Sequence, residues 1–167
     1  WDLGVMSKDE SKLKELSNPK LGLLPMLAKI IREDTVGDCR IAAIGVLWNL
    51  SISQDNRLLI VKSGTGLVEA LVMVLNKGPT DEKIEAKNRA LGVLHNVSLA
   101  VDAQPVLGAA ATESGFFLAL VNLMLSTPTD GGYTAAEAEG LRDRACGVLW
   151  NLSTCAANRI PMAAVPD

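Results

Sequence analysis

Gly45-Val46-Leu47-Trp48-Asn49-Leu50-Ser51 returns at Gly92-Val93-Leu94-His95-Asn96-Val97-Ser98 and again at Gly147-Val148-Leu149-Trp150-Asn151-Leu152-Ser153. Three copies of one phrase mark an internal repeat, the sequence signature of stacked supersecondary units. The copies stand 47 and 55 residues apart, at or just beyond the roughly 40–47 residues of two- and three-helix repeats.

A second register runs ahead of each phrase. Gly22 precedes Leu23-Leu24-Pro25-Met26-Leu27, Gly66 precedes Leu67-Val68-Glu69-Ala70-Leu71, and Gly115 precedes Phe116-Phe117-Leu118-Ala119-Leu120. From each glycine to the next phrase's Asn the count is 27, 30 and 36, whereas Asn49 to Gly66 is 17 and Asn96 to Gly115 is 19. The added length therefore lies before the phrase, where Lys77-Gly78-Pro79-Thr80-Asp81 and Ser126-Thr127-Pro128-Thr129-Asp130-Gly131-Gly132 have turn composition. Insertions in such loops add little closure entropy, and 78–84 and 126–140 read as long loops. Asn56-Arg57 follows Asn49 by seven residues and Asn158-Arg159 follows Asn151 by the same seven, which predicts a short helix after each phrase. The unit is short helix, helix, long helix, with repeats at 13–54, 55–101 and 102–156 and a fourth unit starting at 157–167. Met162-Ala163-Ala164-Val165 is apolar where a natural solenoid end carries a polar cap, so further repeats are expected to follow.

Composition narrows the function. With 49% apolar and 21% charged residues among 167, the chain has ordinary globular composition and buries roughly 70% of its unfolded surface without disulfides or metals. Sixteen basic residues against nineteen acidic ones give a net charge of -3, which argues against DNA or RNA as a ligand. Cys39, Cys146 and Cys155 form an odd set in helix-forming text, expected as small buried hydrophobes in a reducing compartment. The longest apolar runs fall short of the ~20 residues that cross a bilayer, and the opening residues show no secretory pattern. An intracellular site, cytoplasm or nucleus, is expected.

These features resemble the armadillo-repeat family, whose unit pairs a glycine-led second helix with a third helix ending in Ala-x-x-Ala-Leu-x-Asn-Leu. Here that pattern stands at 43–50, 90–97 and 145–152, with Val46, Val93 and Val148 at the second alanine position. The resemblance spans roughly residues 13 to 165, and the Leu-Trp-Asn-Leu-Ser wording is most similar to the catenin and adenomatous-polyposis-type branch. It implies an all-α, right-handed solenoid whose third helices line a concave groove that binds extended peptides or partner proteins.

At 100° per residue, with each Asn at zero, the alanine six before, valine three before, leucine two before and apolar residue one after fall between about 60° and 160°. That arc is the buried stripe. Asn49, Asn96 and Asn151 share the other face with Gly45, Gly92 and Gly147 and with Ala42, Arg89 and Arg144. An amide ladder offers donors and acceptors to the backbone of an extended peptide. Alternatively, each Asn ties its long helix to the next short helix through backbone groups.

Trp48, His95 and Trp150 form their own column beside the Asn residues. They are either contact anchors for a partner or stacks against a neighbouring third helix. Lone His95, with no second His or Cys at metal spacing, fills that column rather than binding zinc. Arg89 and Arg144 are either solvated charges near Glu85 and Asp143 or groove cations for carboxylates. Importin-alpha-type repeats carry Trp where this chain has Gly45, Gly92 and Gly147, so a lysine-clamping aromatic array is missing. The glycines give a flat floor for a ligand, or they permit close packing between repeats.

Each phrase also spells an N-glycosylation sequon, but in helical text these are by-products of the repeat. Gly64-Thr65-Gly66 and Gly78-Pro79-Thr80-Asp81 lack the partners of nucleotide-binding loops. Glu137 and Glu139 fall in loop or helix-start text. No catalytic constellation converges and no cofactor is implied. The expected function is a non-catalytic scaffold that binds a protein or extended peptide through Asn49, Asn96, Asn151, Trp48, His95, Trp150, Arg89 and Arg144. The alternative is a structural subunit docked in a larger complex through convex helices and long loops. A third reading is a module attached to an enzyme such as a ubiquitin ligase.

Overall fold

The computed structural model describes residues 15, 18–34, 37–62, 64, 66–78, 81–125 and 133–165. Among them every regular element is helical: a 3-10 turn at Pro19–Leu21, then α1 (Leu23–Glu33), α2 (Asp38–Ile52), α3 (Gln54–Lys62), α4 (Leu67–Asn76), α5 (Ile84–Ser98), α6 (Gln104–Ser114), α7 (Phe116–Leu125), α8 (Ala135–Ser153) and α9 (Ala156–Ala163). The fold is all-α. The three phrases lie in the C-terminal halves of α2, α5 and α8.

Gly22, Gly66 and Gly115 precede α1, α4 and α7 with φ of 64°, 71° and 72°. This left-handed conformation is open to glycine at little cost. It turns each short helix sharply into the apolar helix that follows. Helices of like position pack together in chain order: α2 on α5 and α5 on α8, α1 on α4 and α4 on α7, α3 on α6 and α6 on α9. The buried stripe is as the helical wheel places it. Ala43, Ala90, Ala145, Leu47, Leu94, Val93, Val148, Leu50, Val97 and Leu152 are buried, while Val46 and Leu149 are partly covered at the margin. Leu71, Leu107, Phe116 and Leu120 complete the core from the shorter helices. Truncating any of these leucines to alanine costs about 2–5 kcal/mol.

Two expectations are corrected. Residues 135–140 are not loop but the first turns of α8, because Thr134 caps the helix: Glu137 N donates to its hydroxyl, and Thr134 N donates to the Glu137 carboxylate at 2.8 Å. This reciprocal box satisfies two N–H groups that the helix start leaves over. Residues 126–132 lie outside the described residues. The cysteines are also not core residues, since Cys39 and Cys146 are exposed and Cys155 is half-buried. Each sits on a helix face or junction away from the apolar stripe.

Between the first two long helices a charge cluster is buried. Arg40, near the start of α2, meets Glu82 from the loop before α5 at 2.6 Å, with both side chains almost wholly covered. Arg40 also donates to the carbonyls of Ile31, at 2.9 Å, and Asp34. Lys77 approaches the same carboxylate at 3.5 Å. Lys87 donates to the Lys77 carbonyl and lies over the Tyr133 ring. Burial pulls the Lys87 ammonium below its ordinary pKa, with Glu82 opposing. The cluster pins the loop ahead of α5, and so sets the register of α5 against α2.

Candidate functional site

The phrase residues come together along the α2–α5–α8 row. Asn96 Nδ2 donates to Ser51 Oγ at 2.9 Å, and Asn151 Nδ2 donates to Ser98 Oγ at 3.0 Å. Each serine hydroxyl in turn donates to the carbonyl three residues before it, Ser51 to Trp48 at 2.6 Å and Ser98 to His95 at 2.7 Å. The amide of one unit is thus bonded to the last turn of the long helix before it. The expected tie to the following short helix is made by other residues. Asn56 Nδ2 donates to the Leu50 carbonyl at 3.0 Å, Gln104 Nε2 to that of Ser98 at 3.0 Å, and Asn158 Nδ2 to that of Leu152 at 3.2 Å. These carbonyls are left over at a helix C-terminus. Arg57 and Arg159 satisfy others there, bonding Ser51 O and Ser153 O at 3.0 Å each.

Stacking on a neighbouring long helix accounts for two members of the aromatic column. A Cβ built on Gly92 would stand 3.0 Å from Trp48 Cε2, and one on Gly147 would stand 3.2 Å from His95 Cδ2. The glycine floors thus hold the aromatic side chain of the preceding unit. Among the described residues no glycine seats Trp150 in this way, and it is 76% exposed. Partial burial lowers the His95 pKa below its ordinary value, and the Arg144 and Arg57 charges act in the same direction.

Arg144 reaches back across a whole unit, with its guanidinium carbon 5.6 Å from the Trp48 ring centroid. Arg89 folds onto Gly45, donating to the Ile41 carbonyl at 3.1 Å and pairing with Glu85. Ala42, Gly45, Val46, Trp48, Asn49 and Arg89 line an open cavity of about 380 Å³. Among the described residues Asn49 lines this cavity, where Asn96 and Asn151 border a serine.

Sequence reading placed the Asn, Gly, aromatic and Arg positions on one row, and missed Ser51 and Ser98 as acceptors, Gln104 as the stand-in for Asn56, and the Arg40–Glu82 pair. The serines carried a signal, since they recur in every phrase. Among the described residues no cluster of three His, Cys, Asp or Glu is placed to hold a metal ion. No single helix among them is long and apolar enough to cross a membrane. No family model matches the sequence, and no curated protein or solved structure is significantly similar to it.

Chemically, the row presents half-buried amides. One N–H of Asn96 and of Asn151 is committed to a serine, which leaves each amide a second N–H and a carbonyl oxygen. Trp48 and Arg144 add a polarised aromatic face beside a fixed cation.

Proposed function

We propose that the chain is an armadillo-type, right-handed α-solenoid that acts as a non-catalytic scaffold, binding an extended peptide or partner protein along the row of long helices. The observation that carries this reading is the α2–α5–α8 row itself, with Asn49, Asn96 and Asn151 at equivalent turns and two of the three anchored in the same way. Anchored amides lose little further freedom on binding, which favours affinity. Arg89 and Arg144 suit a ligand with carboxylates. Trp150 offers an exposed aromatic anchor at one end of the row. We place the protein in a reducing intracellular compartment.

A second reading, docking through the outer helices, is supported by Met26, Leu118 and Leu125 on α1 and α7, which are 53%, 39% and 73% exposed. Selection of displayed linear peptides on the intact protein separates the two. Binders that lose affinity with Asn96→Ala and Arg144→Glu, but not with Leu118→Glu, support the groove. The reverse pattern rejects the groove in favour of the outer face.

A further inference from the structure

The contact between successive long helices has two halves. The earlier helix gives an aromatic ring and a serine hydroxyl, Trp48 with Ser51 on α2 and His95 with Ser98 on α5. The later helix gives the glycine under that ring and the asparagine that donates to that hydroxyl, Gly92 with Asn96 on α5 and Gly147 with Asn151 on α8. Each half also stands once at an end of the row. α8 repeats the first half with Trp150, 76% exposed, and with Ser153, which is exposed and donates to the Trp150 carbonyl at 2.7 Å as its counterparts do to theirs. Ser51 and Ser98, beneath a following helix, are fully buried. α2 repeats the second half with Gly45 and Asn49, which line the cavity of about 380 Å³.

We propose that the two halves join between copies of this chain: α8 of one molecule receives α2 of a second, with the Trp150 ring on Gly45 and Asn49 donating to Ser153, so that the row continues head to tail. The occupant is a second copy because the chain's own α2 carries the matching half, and the charges match as well. Within the chain, the arginine seven residues before the Asn of α8 covers the ring two units back, Arg144 over Trp48. Carried across the junction, the same offset sets Arg89 over Trp150 and Ala42 over His95. Arg89 already leans over Gly45, where an added Cβ would overlap its guanidinium. Each cation thereby meets an indole face, and the imidazole meets an uncharged side chain. The shorter helices agree. Met26 on α1 is 53% exposed where Ala70 and Ala119, at its position in α4 and α7, are buried; Ile160 on α9 is 82% exposed where Leu58, at its position in α3, packs against the core. Seated in this way, the second copy's α1 and α2 stand to α9 as α4 and α5 stand to α3. A contact between two different faces builds open chains or rings rather than a twofold dimer. Peptide binding at Asn96 can fail without affecting this junction.

Sedimentation velocity of the intact chain over a rising concentration series tests it. The weight-average mass should climb from the 17.7 kDa of one chain past the dimer without levelling there. Trp150→Glu blocks one face and Gly45→Leu the other, and each variant alone should stay monomeric where the wild type associates. An equimolar mixture of the two should nonetheless form dimers and stop there, because each keeps the face that the other has lost. Where Gly45→Leu unfolds by circular dichroism, Asn49→Lys, in the same cavity, takes its place. Asn96→Ala should leave the association unchanged, which keeps failure of the junction distinct from failure of the groove. A wild type that stays monomeric throughout overturns the proposal. Self-association that survives both Gly45→Leu and Asn49→Lys also overturns it, in favour of a twofold contact between Trp150 faces.

Discussion

Asn96 and Ser51, 45 residues apart in sequence, share a 2.9 Å hydrogen bond whose serine oxygen is itself tied to the Trp48 carbonyl. The same pairing joins Asn151 to Ser98. Long helix holds long helix through an amide and a hydroxyl of the same phrase. A neutral bond of this kind contributes about 0.5–1.5 kcal/mol net. Urea denaturation of Asn96→Ala, Ser51→Ala and the double variant should therefore give a coupling energy of about 1 kcal/mol. A coupling near zero shows that the bond adds nothing to stability.

Three helical glycines should respond differently to alanine. At Gly140 a Cβ meets nothing within 4 Å, so Gly140→Ala should gain up to about 1 kcal/mol from helix propensity. At Gly92 the same gain is opposed by the Trp48 ring at 3.0 Å, and the net change should be near zero or a loss. At Gly108 the methyl group would fall inside the amide of Asn158, which is buried and holds the Gln104 and Leu152 carbonyls. Gly108→Ala should cost about 1–3 kcal/mol. Urea midpoints falling in another order contradict the contacts described.

Removing Glu82 strands Arg40 in the interior. Breaking a buried pair this way costs about 3–5 kcal/mol, and the Ile31 and Asp34 carbonyls that still accept from Arg40 place Glu82→Ala at the lower end. The double variant Arg40→Met, Glu82→Leu should be less destabilised than Glu82→Ala alone, because the buried guanidinium is removed together with its carboxylate partner. Thermal or urea unfolding of the three proteins checks the order.

His95 gives stability a pH dependence. Its folded pKa is depressed, by burial first and then by Arg144 and Arg57, so the unfolded imidazole takes its proton at a higher pH than the folded one. Stability therefore rises with pH where the unfolded chain binds more protons. The contribution is fully present above the ordinary imidazole value of 6.5 and is lost as pH falls from there through the folded value. The melting temperature of the wild type should fall across that window. His95→Gln, which keeps a polar planar group on Gly147, should show a shallower fall, and equal slopes would reject the assignment.

The helical row was legible because its signals are local. A 3.6-residue period places Ala, Val and Leu inward and Asn, Gly and Arg outward, and burial follows that division apart from Val46, Leu149 and Gly92, the last buried beneath the Trp48 ring. Contacts set by helix register were not legible. Ser51 meets Asn96 only once α5 is laid against α2 at a particular offset, and that offset depends on the Arg40–Glu82 pair across a loop of variable length. Gln104 escaped notice for another reason. It stands eight residues after Asn96 rather than seven and carries one methylene more than asparagine. Yet it makes the equivalent tie, to the carbonyl six residues back, as Asn56 and Asn158 do.

The reach of Arg144 to Trp48 alters how the molecule should come apart. Repeat proteins are treated as sums of nearest-neighbour terms, so that fraying at one end goes unnoticed two units away. Here the guanidinium of the last long helix lies on a ring belonging to the first, and loosening α8 uncovers an indole on α2. Denaturation that begins at the far terminus would then be reported early by the emission of a tryptophan still embedded in intact structure.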